Sequence, residues 1–172
     1  MIESDDLREI LRLKLELMDG NYDRAIKLIT QLQKMCFDNQ INLLSNELSL
    51  AISRLIVVQV NTEYVYLSNL YELRNALIEI QNKNRQGRDS FYVKVKDWLT
   101  IYEDALPWAL LLAVETTEIL DNTDIGDLKE QIDFKGLKEE TLMLVRLTYT
   151  FDALEIDAYL RSCWLDRQIH RY

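Results

Sequence analysis

Three features of this sequence predict an all-α fold. The 172 residues include only four glycines and one proline, while Leu, Ile, Glu, Lys and Arg are abundant. Between Asp38 and Val60 the apolar residues recur at steps of three and four, which places them on one face of a helix. That stripe consists of Ile41, Leu44, Leu48, Ala51, Leu55 and Val58. Two further stripes make the second half of the segment apolar nearly all round, so we expect it to be the central helix of a bundle.

The length suits one domain with a single core. We therefore expect a single-domain helical bundle of about seven to eight helices around a central helix at 38–60. An alternative stays open, in which residues 1–120 form the bundle and residues 121–172 form a helical extension. No low-complexity segment or linker separates these parts.

The first predicted helix runs from about Asp5 to Met18 and ends at Gly20, a residue that suits the end of a helix. A second helix follows from Tyr22 to about Cys36. The connection between them has only three residues, which predicts an antiparallel hairpin. The side chain of Asp38 is a candidate N-cap for the central helix.

A bend is predicted at residues 63–67, where Tyr64 and Tyr66 stand among β-branched residues. The next helix is expected from about Ser68 to Asn82. The segment NKNRQGRD, at residues 82–89, contains no apolar residue and is predicted to be the most exposed loop of the chain.

A further helix is predicted from Ser90, with a kink or a restart at Pro107, and it continues to about Leu120. Asp127 and Glu130 have the spacing of a capping box for a short helix that ends before Gly136. Helical spacing returns from Leu137 to Leu147. A second capping box, formed by Asp152 and Glu155, is expected to start the last helix.

The composition excludes several classes of function. A net charge of −9 argues against general binding to the phosphate backbone of nucleic acids. The acidic N-terminus does not resemble a signal peptide, and the longest apolar run is too short to span a bilayer, so we expect a cytoplasmic protein without a membrane segment. Cys36 and Cys163 lie within helical patterns and are expected to be reduced core residues.

The sequence offers few residues for catalysis. His170 is the only histidine, so no histidine-containing metal motif is present. Cys36 and Cys163 fall on apolar helix faces, and His170, two residues from the end, is the only imidazole that could act as a base. The glycines are too far apart for a phosphate-binding loop. We therefore predict no catalytic residue, no metal ligand and no cofactor.

Three segments carry a resemblance to a known family. They are LITQLQKM at residues 28–35, LLSNELSLAISRLIV at residues 43–57 and YEDALPWALLLAVET at residues 102–116. Over about residues 10–118 this layout resembles the bacterial helical family named domain of unknown function twenty-nine. The resemblance implies a helical fold and brings no activity or catalytic residue with it.

The surplus of aromatic residues favours a protein that acts by contact, through self-association or through a protein partner. The candidate interaction surface consists of Tyr66, Tyr71, Arg85, Arg88, Trp108 and Trp164. Arg54, the only charge in the apolar half of the central helix, is the candidate for a buried ion pair. The alternative hypothesis is a helical nuclease or a protein that binds nucleic acids or nucleotides through Arg85, Arg88 and a C-terminal basic cluster. That cluster consists of Arg161, Arg167, His170 and Arg171. Ligand binding in a cavity of the bundle is a third hypothesis.

Overall fold

A computed structural model describes the backbone of residues 4–60, 67–87, 90–121 and 125–169, and the side chains of residues 8–60, 68–87, 90–116 and 125–163. These residues form seven α-helices and one 3₁₀ turn, and they contain no β-strand longer than an isolated bridge. The helices are α1 (Ser4–Met18), α2 (Tyr22–Val60), α3 (Leu67–Asn84), α4 (Trp98–Asp121), α5 (Ile125–Gln131), α6 (Phe134–Leu147) and α7 (Ala153–Ile169). The predicted all-α bundle is confirmed.

The chain divides into two compact units, Met1–Asn42 and Leu43–Tyr172. The first unit contains α1 and the first half of α2. The second unit contains the rest of α2 and all later helices, and within it α3 packs against α6 and α7 while α4 packs against α5 and α6. The boundary between the units falls inside α2.

The prediction that separate helices end near Cys36 and begin at Asp38 was wrong. One helix, α2, runs through this region and has 39 residues. No glycine or proline occurs between Tyr22 and Val60, so nothing in the chain terminates the helix at Asp38. The apolar second half of α2 is nevertheless the centre of the second unit, as predicted. Its buried apolar residues are Leu44, Leu48, Ala51, Ile52, Leu55, Ile56, Val57 and Val58.

One other predicted boundary was wrong. Residues 90–94 are not helical; a 3₁₀ turn at Val95–Asp97 leads into α4. Of the two alternatives predicted at Pro107, the restart is ruled out, because α4 continues across this residue. The short helix α5 ends at Gln131, before Gly136, as predicted. Gly136 itself lies in the first turn of α6, where its backbone N–H donates to the capping carboxylate of Asp133. A glycine fits this position because a Cβ there would be 2.5 Å from Asp133.

The local signals at two helix ends were correct. Gly20 has a φ of 74°, and the backbone N–H of Asn21 reaches back to the carbonyl of Glu16 at 2.9 Å, which closes the end of α1. At the start of α7, the Asp152 carboxylate accepts from the N–H of Glu155 at 2.9 Å, and the Glu155 carboxylate accepts from the N–H of Asp152 at 2.8 Å. The bend predicted at residues 63–67 falls almost wholly outside the described residues.

Candidate interaction surface

The first unit is a helical hairpin with a small interior. Ala25 and Leu28 of α2 are buried, and Leu13 of α1 and Leu32 of α2 are half-buried. Most other apolar side chains of the hairpin are exposed. Two helices packed side by side have only one contact line, so they cannot cover apolar residues that point elsewhere.

Five large side chains form what we call the hairpin apolar face: Ile10, Leu17, Tyr22, Ile26 and Ile29. Their exposed fractions range from 40 to 67 %. Ile10 and Leu17 are seven residues apart on α1, and the other three follow one another at steps of four and three on α2. The three residues of α2 therefore form a continuous stripe, and Ile10 and Leu17 lie on one stripe of α1 two turns apart.

Both stripes lie on the same side of the hairpin. On α1, the row that contains Glu9 and Leu13 faces α2, and the stripe is rotated from that row by about a quarter of a turn around the helix axis. On α2, the row that contains Ala25 and Leu28 faces α1, and the stripe is rotated from it by about the same angle in the same sense. Because both helices are right-handed and run in opposite directions, equal rotations of this kind bring the two stripes to one side.

The opposite side of the hairpin carries more charged side chains, although Leu15 and Met35 are also exposed there. A groove of about 570 Å³ opens there, lined by Arg8, Glu9, Gln31, Leu32, Lys34, Met35 and Asp38. The groove brings cationic and anionic side chains together along a shallow surface, rather than converging polar groups on an enclosed apolar space, as a small-molecule site does. It therefore gives no support to the cavity hypothesis.

Cys36 continues the stripe of Tyr22 and Ile29, at a further step of seven. It is exposed, so the prediction that it is a core residue was wrong. The error has a clear cause, because apolar spacing identifies a face of a helix but not whether another element covers that face. Cys163 is half-buried, and both thiols are outside any disulfide.

In the second unit the candidate aromatic residues lie on different elements. Trp108 is 65 % exposed on α4, with Leu111 beside it on the same helix face, and Tyr71 is 60 % exposed on α3. Arg85 is exposed in the loop after α3, where it forms an isolated antiparallel bridge with Phe91. Tyr66 and Arg88 fall outside the described residues, as does the side chain of Trp164.

Arg54 connects three helices of the second unit. Its guanidinium lies 2.5 Å from the Glu72 carboxylate of α3 and donates to the Thr116 hydroxyl of α4 at 3.1 Å. The Arg54 side chain is 18 % exposed, whereas that of Glu72 is 48 % exposed. An ion pair with one exposed partner is screened by water, so it orients the helices more than it stabilises them.

A second polar connection joins α2 to α3. The Lys83 ammonium lies 2.5 Å from the Glu47 carboxylate and 3.5 Å from that of Glu79. The hydrogen bond to Glu47 is the main reason why the pKa of Lys83 is raised. On the other side of α2, the Ser49 hydroxyl donates to the backbone carbonyl of Ala105 in α4 at 3.1 Å.

The most extensive polar network surrounds Asn84, and sequence reasoning missed it. Asn84 was predicted to belong to the exposed loop, but it is the last residue of α3 and is only 1 % exposed. Its amide group donates to the Val93 carbonyl at 3.2 Å and accepts from the Val93 N–H at 2.7 Å. The amide thus pairs with the backbone as a neighbouring strand would.

Tyr149 completes this network. Its hydroxyl accepts from Trp98 Nε1 at 2.5 Å and from Asn84 Nδ2 at 2.9 Å, and it donates to the Val93 carbonyl at 2.6 Å. Burial raises the pKa of Tyr149. A neutral phenol with one proton donated and two lone pairs occupied has no capacity left for a substrate, so the network is structural.

The Tyr102 hydroxyl differs from that of Tyr149. It is buried and has no hydrogen-bond partner within the part of the chain that the structure describes. Burial raises the pKa of Tyr102, so the phenol is neutral.

Among the described residues no group of three or more His, Cys, Asp or Glu side chains could hold a metal ion.

Comparisons with protein-family models, with curated proteins and with solved structures found no match to this chain. The resemblance to domain of unknown function twenty-nine therefore stays a prediction.

Of the described helices, α2 is long and apolar enough to cross a membrane, but 56 % of its most apolar stretch is buried. The buried central helix of a soluble bundle has the same property.

Proposed function

We infer that this protein is a non-enzymatic interaction protein, which works through self-association or through a protein partner. The hairpin apolar face carries this proposal. Exposed apolar residues are normal when they are scattered, but a contiguous patch on one side of an element is typical of a binding surface.

The energy of covering this face indicates what kind of partner it needs. Full burial of a large apolar side chain contributes about 1.5–3 kcal/mol, so a side chain that is half exposed contributes about 1 kcal/mol when it is covered. Five such side chains supply on the order of 5 kcal/mol, which is at the lower end of the cost of association. Stable binding therefore requires a partner that also buries apolar surface.

In the described part of the second unit, several buried polar side chains are engaged in hydrogen bonds within the fold, which supports the proposal. Those of Asn84, Tyr149 and Gln81 bind backbone carbonyls or one another. Gln81 Nε2, for example, donates to the carbonyls of Thr148 at 2.8 Å and Phe151 at 2.6 Å. Buried networks of this kind hold helices in fixed positions, so we assign the second unit the role of a scaffold.

The alternative of nucleic-acid binding receives less support. Arg85 is exposed, but Arg161 forms an ion pair with Asp157 at 2.7 Å. Arg167, His170 and Arg171 lie where the structure describes no side chain. The net charge of −9 opposes the approach of a phosphate backbone.

The proposal is tested by the reactivity of the Cys36 thiol in a Cys163→Ser chain. At nanomolar concentration we expect a small maleimide to modify Cys36 as fast as it modifies an unfolded control peptide, because the face is then uncovered. The control chain carries Met35→Cys and lacks both Cys36 and Cys163, so that its thiol lies in the groove on the other side of the hairpin. Slow modification of Cys36 at every concentration, in a monomer, would show that the chain covers its own face and would refute the proposal.

A further inference from the structure

We propose that the exposed side of α4 binds a basic amphipathic helix of another protein. This surface, which we call the α4 acidic face, consists of Asp104, Trp108, Leu111 and Glu115, all of them exposed. Successive members are four, three and four residues apart, so they lie on one side of the helix. The inference goes beyond the proposed function, because it gives the second unit a binding surface of its own.

The charge of α4 is unlike that of the other helices. It contains five acidic residues and no basic one, whereas each of the other six described helices has a net charge between −1 and +1. Two of the five, Glu118 and Asp121, stand in the last turn of α4. Acidic residues are unfavourable there, because the C-terminal end of a helix dipole is negative. The stability of α4 therefore does not explain why its charges are all acidic, whereas a basic partner would relieve the repulsion among them.

The carboxylates on the exposed side of α4 have no partner within the part of the chain that the structure describes. Glu103, Asp104 and Glu115 form no ion pair or side-chain hydrogen bond there. Acidic residues of neighbouring helices differ, since Glu47 pairs with a lysine and Glu72 with an arginine. Complementary charge has to come from outside the described residues, and basic side chains of a partner supply it.

Trp108 gives the α4 acidic face an apolar centre. Its side chain is 65 % exposed, and Leu111, one turn further along, is 47 % exposed. Tryptophan is among the residue types that most often dominate the energy of a protein interface, and its ring also attracts the cationic groups of arginine and lysine. An apolar pair with a carboxylate on either side is the complement of an amphipathic helix whose apolar stripe is flanked by basic residues.

The spacing of the carboxylates favours a helix as the partner. Asp104 and Glu115 are eleven residues apart, which is about 16 Å along α4. A single cation cannot contact both, whereas basic residues eleven positions apart on a partner helix repeat at the same distance. Nucleic acids and anionic membranes carry the same sign of charge as this face and are repelled by it.

The test is a fluorescence anisotropy titration of the full chain with three synthetic helices of about 18 residues each. The basic probe has leucines along one side and arginines on both flanks of that stripe. The acidic probe has glutamates in place of the arginines, and the polar probe has glutamines in place of the leucines. We expect only the basic probe to bind with a dissociation constant below about 100 μM, and its affinity should fall as salt is added.

Two pairs of variants locate the binding site. Trp108→Ala should raise the dissociation constant of the basic probe at least about 10-fold, as expected for a central interface residue. Tyr71→Ala is its control, because it removes an aromatic side chain of similar exposure from α3, and it should change the constant by less than about twofold. Glu115→Gln should also weaken binding, and it should flatten the salt dependence. Glu139→Gln removes the same charge from an exposed position on α6 and should do neither.

The stability of the unbound variants separates a binding role from a structural one. Glu115→Gln should leave the free energy of unfolding unchanged or slightly higher in urea titrations, because it removes a charge that the neighbouring carboxylates repel. Trp108 is mostly exposed, so Trp108→Ala should keep the helix content of the original protein by circular dichroism. Weaker binding without loss of stability is the result that supports the proposal.

Several results would overturn this inference. The first is a basic probe that does not bind, or that Trp108→Ala binds as tightly as the original protein. A polar probe that binds as well as the basic one would mean that the carboxylates attract cations without a docking surface. Binding lost in Ile26→Ala and kept in Trp108→Ala would place the probe on the hairpin apolar face, against this inference but in agreement with the proposed function. A dimer of the chain that Trp108→Ala dissociates would assign the α4 acidic face to a second copy. The reactivity of Cys36 tests the proposed function independently of all these outcomes.

Discussion

The indole N–H of Trp98 donates to the hydroxyl of Tyr149 at 2.5 Å, although the two residues are 51 positions apart in the chain. Trp98 starts α4, and Tyr149 lies in the turn after α6. Through Asn84 and Val93 the same hydroxyl also holds the end of α3 and the segment before α4. One phenol thus joins four parts of the second unit.

Replacing Tyr149 with Phe should destabilise the protein by about 2 kcal/mol. The change leaves the N–H of Trp98 buried without this acceptor and removes one partner of the Asn84 amide, and each buried group that loses its partner costs on the order of 1 kcal/mol or more. Urea unfolding followed by circular dichroism measures the effect. Tyr71→Phe removes the same atom from a side chain that is 60 % exposed, and it should change the free energy of unfolding by less than about 0.5 kcal/mol. Equal effects of the two substitutions would contradict this description of the network.

Replacing Tyr102 with Phe should have the opposite sign. The Tyr102 hydroxyl is buried without a hydrogen-bond partner among the described residues, so its desolvation is not compensated. Its removal should stabilise the protein by about 1 kcal/mol. The same urea experiment measures this, with Tyr71→Phe again as the control. A loss of stability would mean that the hydroxyl has a partner, such as a buried water molecule.

Stability should fall as the pH rises above about 10. Burial raises the pKa of both Tyr102 and Tyr149 above 10.0, so these phenols release their protons in the unfolded chain at a lower pH than in the folded one. The folded state then binds more protons, and the free energy of unfolding decreases with pH until the folded phenols also ionise. Lys83, whose pKa is raised from 10.5, contributes with the same sign. The free energy of unfolding is measured by urea titration between pH 8 and 11 for the original protein and for Tyr102→Phe. It should decrease less with pH in the variant. Identical pH profiles for the two proteins would argue against a raised pKa for Tyr102.

The central helix could be predicted from spacing alone, because burial follows the 3.6-residue period of a helix. Cys36 could not be placed, since the same period occurs on faces that the chain covers and on faces that it leaves open. The length of α2 was also missed. Asp38 has the residue type of an N-cap, but the type alone does not stop a helix that meets no glycine or proline.

The Asn84 network was beyond sequence reasoning for a different reason. Its members come from positions 84, 93, 98 and 149, which the fold brings together over as many as 65 residues. No local pattern marks an asparagine that binds a distant backbone segment, and the polar neighbours of Asn84 in the sequence indicated a solvated loop. The capping box at Asp152 was predictable because its two partners are three residues apart.

The proposed function also predicts that the protein does not bind nucleic acid. Non-specific binding has dissociation constants of about 10⁻⁴ to 10⁻⁶ M at physiological salt and depends on basic residues that neutralise phosphates. With a net charge of −9 and with Arg161 engaged by Asp157, we expect no binding of a fluorescent single-stranded RNA or DNA in an anisotropy titration up to about 100 μM protein. Arg85→Ala and Arg88→Ala should leave this result unchanged. Binding that weakens steeply with added salt and is lost in Arg85→Ala would instead support the alternative function, because only a direct phosphate contact gives both responses.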